Sequence, residues 1–320
     1  FASFLTLTRY DKTKTKVLFI DPGFPVQKQQ CRVLGIEYKT FDVYDYRGEK
    51  LREKLEEMLK DGDVACIIYS SPNNPAWFCF TDEELKIIGD MANKYGVIIL
   101  EDLAYFAMDF RKDYSQPGVA PFQPTVAKYT NNYVLMISGS KSFSYAGQRM
   151  ALTCISDKLF EKQYPALAER YHDAGVFGQT LVASILYMIT SGCTASTQYA
   201  YAEMLRLSTE GVINFVEDTR EYALRAERMK RIFTDNGFHI VYDYDATEPV
   251  GDGFFFTIGY GQMTGGELLT ELLYYGVSSI SLSTTGSEQQ GVRACTSRMR
   301  ADLYDVMEER MRAFHEDHPL

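Results

Sequence analysis

Val64-Ala65-Cys66-Ile67-Ile68-Tyr69, the segment Thr81 to Tyr95, and Val97-Ile98-Ile99-Leu100 together form the stretch whose reading decides the fold. The first run is unbroken in its apolar character and ends at Ser70-Ser71-Pro72-Asn73-Asn74-Pro75, as a strand buried on both faces does. The middle segment opens with Thr81 and Glu84 at capping-box spacing and closes at Gly96, which predicts a helix over 81–95. The third run reads as a second buried strand. Strand, helix, strand in repetition predicts an α/β fold with a largely parallel sheet.

Working outward, Val17–Ile20, Val134–Ile137 and Leu152–Ile155 read as further strands, and Lys50–Lys60 as a further helix. Phe1–Tyr10 reads as a helix already under way in a chain that does not open with methionine, so the expectation is that the chain begins inside a domain. After about residue 212 the character changes. Phe215–Thr234 is charged, amphipathic and free of Gly and Pro, and predicts a connecting helix ending at Asn236-Gly237. Beyond it, strands are expected at His239–Tyr242 and Phe254–Ile258 and a closing helix at Ala301–His315. The organisation expected is a large domain over 1–211, incomplete at its N-terminus, and a smaller α+β domain over 212–320. The glycines of 251–266 are dispersed among aromatics and read as turns around a strand, not as a phosphate loop.

A chain of 320 residues with 46% hydrophobic and 24% charged residues has the composition of a globular protein with a large core. Its formal net charge of −10 argues against a nucleic-acid surface. The basic run Lys12–Lys16 reads as a solvated loop. Six cysteines without a Cys-x-x-Cys pair, most within apolar runs, predict buried reduced thiols and a cytoplasmic setting. Four scattered histidines offer no metal site. No apolar stretch is long enough to span a bilayer, and no signal peptide opens the chain.

In parallel α/β sheets, ligands bind beyond the carboxyl ends of the strands. Those ends carry Asp21-Pro22-Gly23-Phe24, Asn73-Asn74-Pro75, Glu101-Asp102-Leu103-Ala104-Tyr105 and Ser138-Gly139-Ser140-Lys141, with Arg149 eight residues later. An amide, a carboxylate, a phenol, hydroxyls, a lysine, an arginine and an aromatic ring suit a phosphorylated, aromatic, aldehyde-bearing ligand.

Asn74-Pro75, Asp102-x-x-Tyr105, Ser138-x-Ser140-Lys141 with Arg149, and a late Arg293 resemble, in order and spacing, the signature of class I/II pyridoxal-phosphate-dependent aminotransferases of the aspartate-aminotransferase-like fold. The resemblance covers essentially the whole chain, and Ser-x-Ser-Lys with its downstream Arg is its most specific part. Two departures stand out. Asn74-Pro75-Ala76-Trp77 replaces the family's Asn-Pro-Thr-Gly, and about the first quarter of a family member, with its phosphate-binding glycine turn, has no counterpart here.

The resemblance implies pyridoxal 5′-phosphate as cofactor and a role for each residue. Lys141 is the lysine that condenses with the cofactor aldehyde and shuttles protons. Asp102 pairs with the ring nitrogen. Tyr105 and Asn74 donate to the phenolic oxygen, and Asn74 also borders the substrate. Ser138, Arg149 and, more weakly, Ser140 bind the phosphate. Phe24 stacks on the ring, and Arg293 grips the substrate α-carboxylate. The alternation of Val292 and Ala294 puts Arg293 on the opposite strand face from those two, and Arg298 and Arg300 are its competitors for the role. The expected activity moves an amino group between an amino acid and a 2-oxo acid in a homodimer. A carbon–sulfur β-lyase on the same fold, and a non-catalytic ligand-binding domain of a regulator, are the alternatives.

Overall fold

A computed structural model describes residues 1–320. Its strands in chain order are β1 (Lys16–Asp21), β2 (Tyr38–Asp42), β3 (Val64–Ser70), β4 (Ile98–Leu103), β5 (Tyr133–Ser138) and β6 (Ala151–Ile155). They form one sheet in the order β2-β1-β3-β4-β5-β6. The first five are parallel, and β6 runs antiparallel to β5 with Ser138 opposite Ala151. The connection between them never leaves the sheet end where β5 finishes, as the Gly139 N–H to Met150 carbonyl bond records. The next strand therefore starts there and returns.

Both faces of the sheet are covered, which is why its central strands are continuous apolar runs. Leu18, Ile20, Ile67, Tyr69 and Ile99 pack on Leu51, Leu55, Leu85 and Ile88 of the helices Lys50–Leu59 and Asp82–Tyr95. Phe19, Cys66, Ile68 and Leu100 pack on Phe4, Leu7, Leu167 and Phe177 of the other face. The capping box forms as expected. The Glu84 N–H donates to Thr81 Oγ1 at 3.2 Å, and the Thr81 N–H donates to Glu84 Oε2 at 2.9 Å. Gly96 ends the helix at φ 59°, a left-handed stop that glycine supplies without strain.

The remaining strands are β7 (Phe238–Ile240), β8 (Tyr244–Asp245), β9 (Glu248–Pro249), β10 (Phe255–Tyr260), β11 (Ile280–Ser281) and β12 (Val292–Cys295). Four of them make an antiparallel sheet, β11-β12-β10-β7, while β8 and β9 pair as a hairpin. One face of that sheet buries Phe256, Ile258, Val292 and Ala294 under Met229, Phe233, Leu272, Met311 and Phe314. The single helix expected over 215–234 is two, Phe215–Thr219 and Glu221–Asp235. At the junction the Arg220 and Ala223 N–H groups bond three residues back instead of four, tightening one turn. The closing helix runs Tyr304–Asp317 after a short 3₁₀ turn.

Polar contacts tie the segment from Tyr242 to Asp245, just after β7, to residues at or beyond the carboxyl ends of β2, β3 and β4. Arg47 forks onto Glu84 at 2.8 and 2.9 Å and reaches Asp245 at 3.1 Å, while Arg111 reaches Asp245 at 2.7 Å. Tyr242 donates to Asp42 at 2.6 Å. The expectation of buried thiols holds for Cys31 and Cys66 only; Cys79 and Cys295 are half-buried, and Cys154 and Cys193 are exposed. Cys154 lies on β6, whose outer edge is unpaired, so an apolar neighbourhood in sequence did not become a buried one in space. No helix is long and apolar enough to cross a membrane.

Candidate active site

The five parallel strands end at Asp21, Asp42, Ser70, Leu103 and Ser138, and the residues just beyond these ends form the floor of one site. Asp102 lies inside β4, paired in register with Ser70, one residue before the strand ends. Its Oδ1 accepts the Ala104 N–H at 3.1 Å and its Oδ2 accepts from Gln27 Nε2 at 2.9 Å. Burial outweighs these two donors and pushes its carboxyl up to about 6. Each oxygen retains a lone pair for a further donor.

Tyr105 is 4% exposed and enclosed by the rings of Trp77, Phe254 and Phe255 at centroid distances of 5.3, 5.6 and 5.5 Å. Burial first, and the nearby Asp102 second, push its phenol well above the ordinary value, so it is a donor at all physiological pH. Lys141 sits in the short helix Gly139–Ser142 directly after β5, its Nζ 4.9 Å from the Phe254 ring centre. Desolvation lowers its amine, Cys295 opposes, and Arg293 and Arg149 add to the lowering. A larger neutral fraction is what a nucleophilic lysine requires.

Arg293 arrives from the second sheet. The alternation along β12 turns Val292 and Ala294 into the small-sheet core and Arg293 the other way, its guanidinium 4.2 Å from the Phe255 ring centre. Arg293 Nη1 donates to Asn74 Oδ1 at 2.8 Å, which joins residues 219 positions apart. With its carbonyl engaged, Asn74 has its amide N–H₂ free to donate elsewhere. Arg293 Nε is buried without a partner, an orphaned donor that a carboxylate would satisfy. Arg298 is exposed, and Arg300 is exposed and paired with Asp302 at 2.7 Å.

Ser138 Oγ accepts the Ser140 N–H at 3.1 Å and keeps its own hydrogen to donate. Arg149, exposed and at φ 55°, bonds the Ala146 carbonyl of its own turn at 2.7 Å. Phe24 is exposed at the start of the helix Pro25–Leu34 after β1. Thus Asn74, Arg293, Tyr105 and Lys141 are drawn together through contacts with one another or with Phe254 and Phe255, and Asp102 lies beneath them. Phe24, Ser138, Ser140 and Arg149 stand at the same end of the sheet, with Ser138 capping the short helix that carries Ser140 and Lys141. Sequence reasoning missed Gln27, which clamps Asp102 from a helix 75 residues earlier and has no local signal. It also missed Cys295, which the period-2 pattern beyond Arg293 puts on the same strand face.

A two-sheet α/β fold with these groups at the strand ends defines a class of protein. The profile described as Aminotransferase class I and II matches residues 3–308, and the chain belongs to that family. Nicotianamine aminotransferase 1 of rice (Oryza sativa subsp. japonica) is 26% identical over 110 residues, 34% of this chain and 21% of that one. Mouse (Mus musculus) tyrosine aminotransferase is 27% identical over 143 residues, 44% and 30% of the two chains. The match therefore spans under a third of these relatives' length. A tetra mutant of Thermus thermophilus aspartate aminotransferase superposes with a TM-score of 0.71 at 16% identity, over 98% of this chain and 77% of that one.

Proposed function

We propose that the chain is a pyridoxal-phosphate-dependent aminotransferase that moves an amino group between an amino acid and a 2-oxo acid. The observation that carries this is Arg293 bonded to Asn74, with an unpartnered Nε, in the same aromatic surround that holds Lys141 and above a desolvated Asp102. One cation to take a carboxylate, one amine to take an aldehyde and one carboxylate to take a ring N–H are the groups the reaction needs.

Bound pyridoxal phosphate supplies an aldehyde for the amine to condense with and a ring that withdraws electrons from the adjacent carbon. In this reading Asp102 holds the proton on the ring nitrogen. Tyr105 and the free amide of Asn74 donate to the phenolic oxygen. Ser138, Ser140 and Arg149 take the phosphate, and Phe24 covers a ring face. Arg293 orients the substrate by its α-carboxylate. The Lys141 amine, its proton affinity lowered by desolvation, would be the group that takes up the substrate Cα proton and holds it for return.

The proposal extends to organisation. Residues 1–211 would carry the cofactor and 212–320 form the smaller domain, with Arg293 bridging them. A homodimer is the proposed assembly, supported by exposed Val182, Tyr187, Met188 and Ile189 close together in sequence. A cytoplasmic location is proposed from six free thiols and no disulfide.

The test is absorbance with added pyridoxal phosphate, then a panel of amino acids. A visible band, its loss in Lys141→Ala, and conversion to pyridoxamine phosphate by an amino acid are expected. A band that persists in Lys141→Ala refutes the assignment, and steady pyruvate release without an oxo-acid acceptor would indicate β-elimination instead.

A further inference from the structure

Trp77 sits where its presence costs free energy twice. Its φ of 68° is left-handed, a region open to glycine and unfavourable for a residue with a Cβ. Its indole N–H is buried and meets no acceptor in the chain. Packing is what offsets both. The side chain is 1% exposed and packs edge-to-face with Tyr105, the ring planes at 70°. On its other side the indole lies on Gly253, so close that a Cβ there would fall 2.1 Å from the ring. The bicyclic ring thus spans from the turn after Asn74 to the strand lead-in at Gly253. Tyr105 is held against it by Phe254 and Phe255, and Phe255 also supports the Arg293 guanidinium.

We propose that Trp77 is a positioning residue for the Tyr105 phenol: wedged between Gly253 and the Tyr105 ring, it sets where the hydroxyl points. The proposal rests on the cofactor reading above, in which that hydroxyl donates to the cofactor's phenolic oxygen. A ring enclosed on three sides by other rings has little freedom, so removing one wall lets the hydroxyl drift. Displacements of about 1 Å are enough to degrade a positioned hydrogen bond. Trp77 touches neither substrate nor reacting atoms in this account and acts only through Tyr105.

The experiment is a double-mutant cycle on the whole chain loaded with pyridoxal 5′-phosphate. It reads the cofactor dissociation constant and the pH midpoint of the bound cofactor's visible band. Tyr105→Phe is expected to weaken binding by about threefold to tenfold, the scale of one hydrogen bond, and to move the midpoint. Trp77→Gly relaxes the backbone and opens a hole beside the ring. It is expected to reproduce more than half of both changes, and Trp77→Phe to restore most of the loss. The double variant should be no weaker than Tyr105→Phe alone. Additive effects overturn the proposal, as does a folded Trp77→Gly protein with an unmoved midpoint. If Trp77→Gly does not fold, Gly253→Ala presses on the indole from the far side. Trp77 is the sole tryptophan of the chain, so its emission reports the displacement. A displaced indole with a moved midpoint supports the proposal, and one with an unmoved midpoint overturns it. If the unmodified chain shows no band, the cofactor reading fails and the positioning role with it. A band with additive effects removes the positioning role alone.

Discussion

Replacing Asp102 by Asn separates what this carboxylate costs the fold from what it contributes to the site. Its carboxyl stands at about 6 against an ordinary 3.8, because burial outweighs the donors Ala104 N–H and Gln27 Nε2. The folded protein therefore holds this proton more tightly than the unfolded chain does. The resulting penalty on folding is absent well below pH 3.8, grows between 3.8 and 6, and is complete above. That difference is worth about 2–3 kcal/mol. Asn keeps an oxygen for the Ala104 N–H, and a turn of the Gln27 side-chain amide brings its Oε1 to accept from the Asn N–H₂, so packing and bonding persist while the charge goes. Urea unfolding of the cofactor-free Asn variant is expected to show a gain of about 2 kcal/mol at about pH 8, falling to under about a quarter of that at about pH 4. Turnover should fall by on the order of a hundredfold or more, the scale of removing a positioned charge. A stability difference equal at both pH values would refute the desolvated carboxylate, and full turnover in the Asn variant would refute its role.

Arg293→Gln is expected to raise KM on the order of a hundredfold with a smaller change in kcat, the loss of a two-bond grip on a carboxylate. Steady-state kinetics with the amino-acid substrate checks it. Arg47→Ala leaves the buried Glu84 without a cationic partner and Asp245 with Arg111 alone, and a loss of about 3–5 kcal/mol by denaturant unfolding is expected. In a thiol titration of the native protein, Cys154 and Cys193 should react first. Cys31, whose thiol burial raises to about 11, and Cys66 should react only on unfolding.

Local chemistry explains what could be read in the chain itself. The runs at 64–69, 97–100 and 134–137 announce strands because a sheet covered on both faces needs apolar residues at every position. Thr81 and Glu84 announce a helix start because a capping box is complete within four residues. The order Asn74, Asp102, Tyr105, Lys141 was legible because each lies at or just past a strand end, and strand ends are punctuated locally. The edge strand Tyr38–Asp42, with its mixed polar and apolar residues, gave no comparable signal. Nor did the reversal of β6, the clamp of Gln27 on Asp102, or the indole of Trp77 lying on Gly253. Each of these joins segments whose separation along the chain says nothing about their distance in space. Only the packing of one sheet against the other sets Asn74 within 2.8 Å of Arg293, and through it the shape of the site.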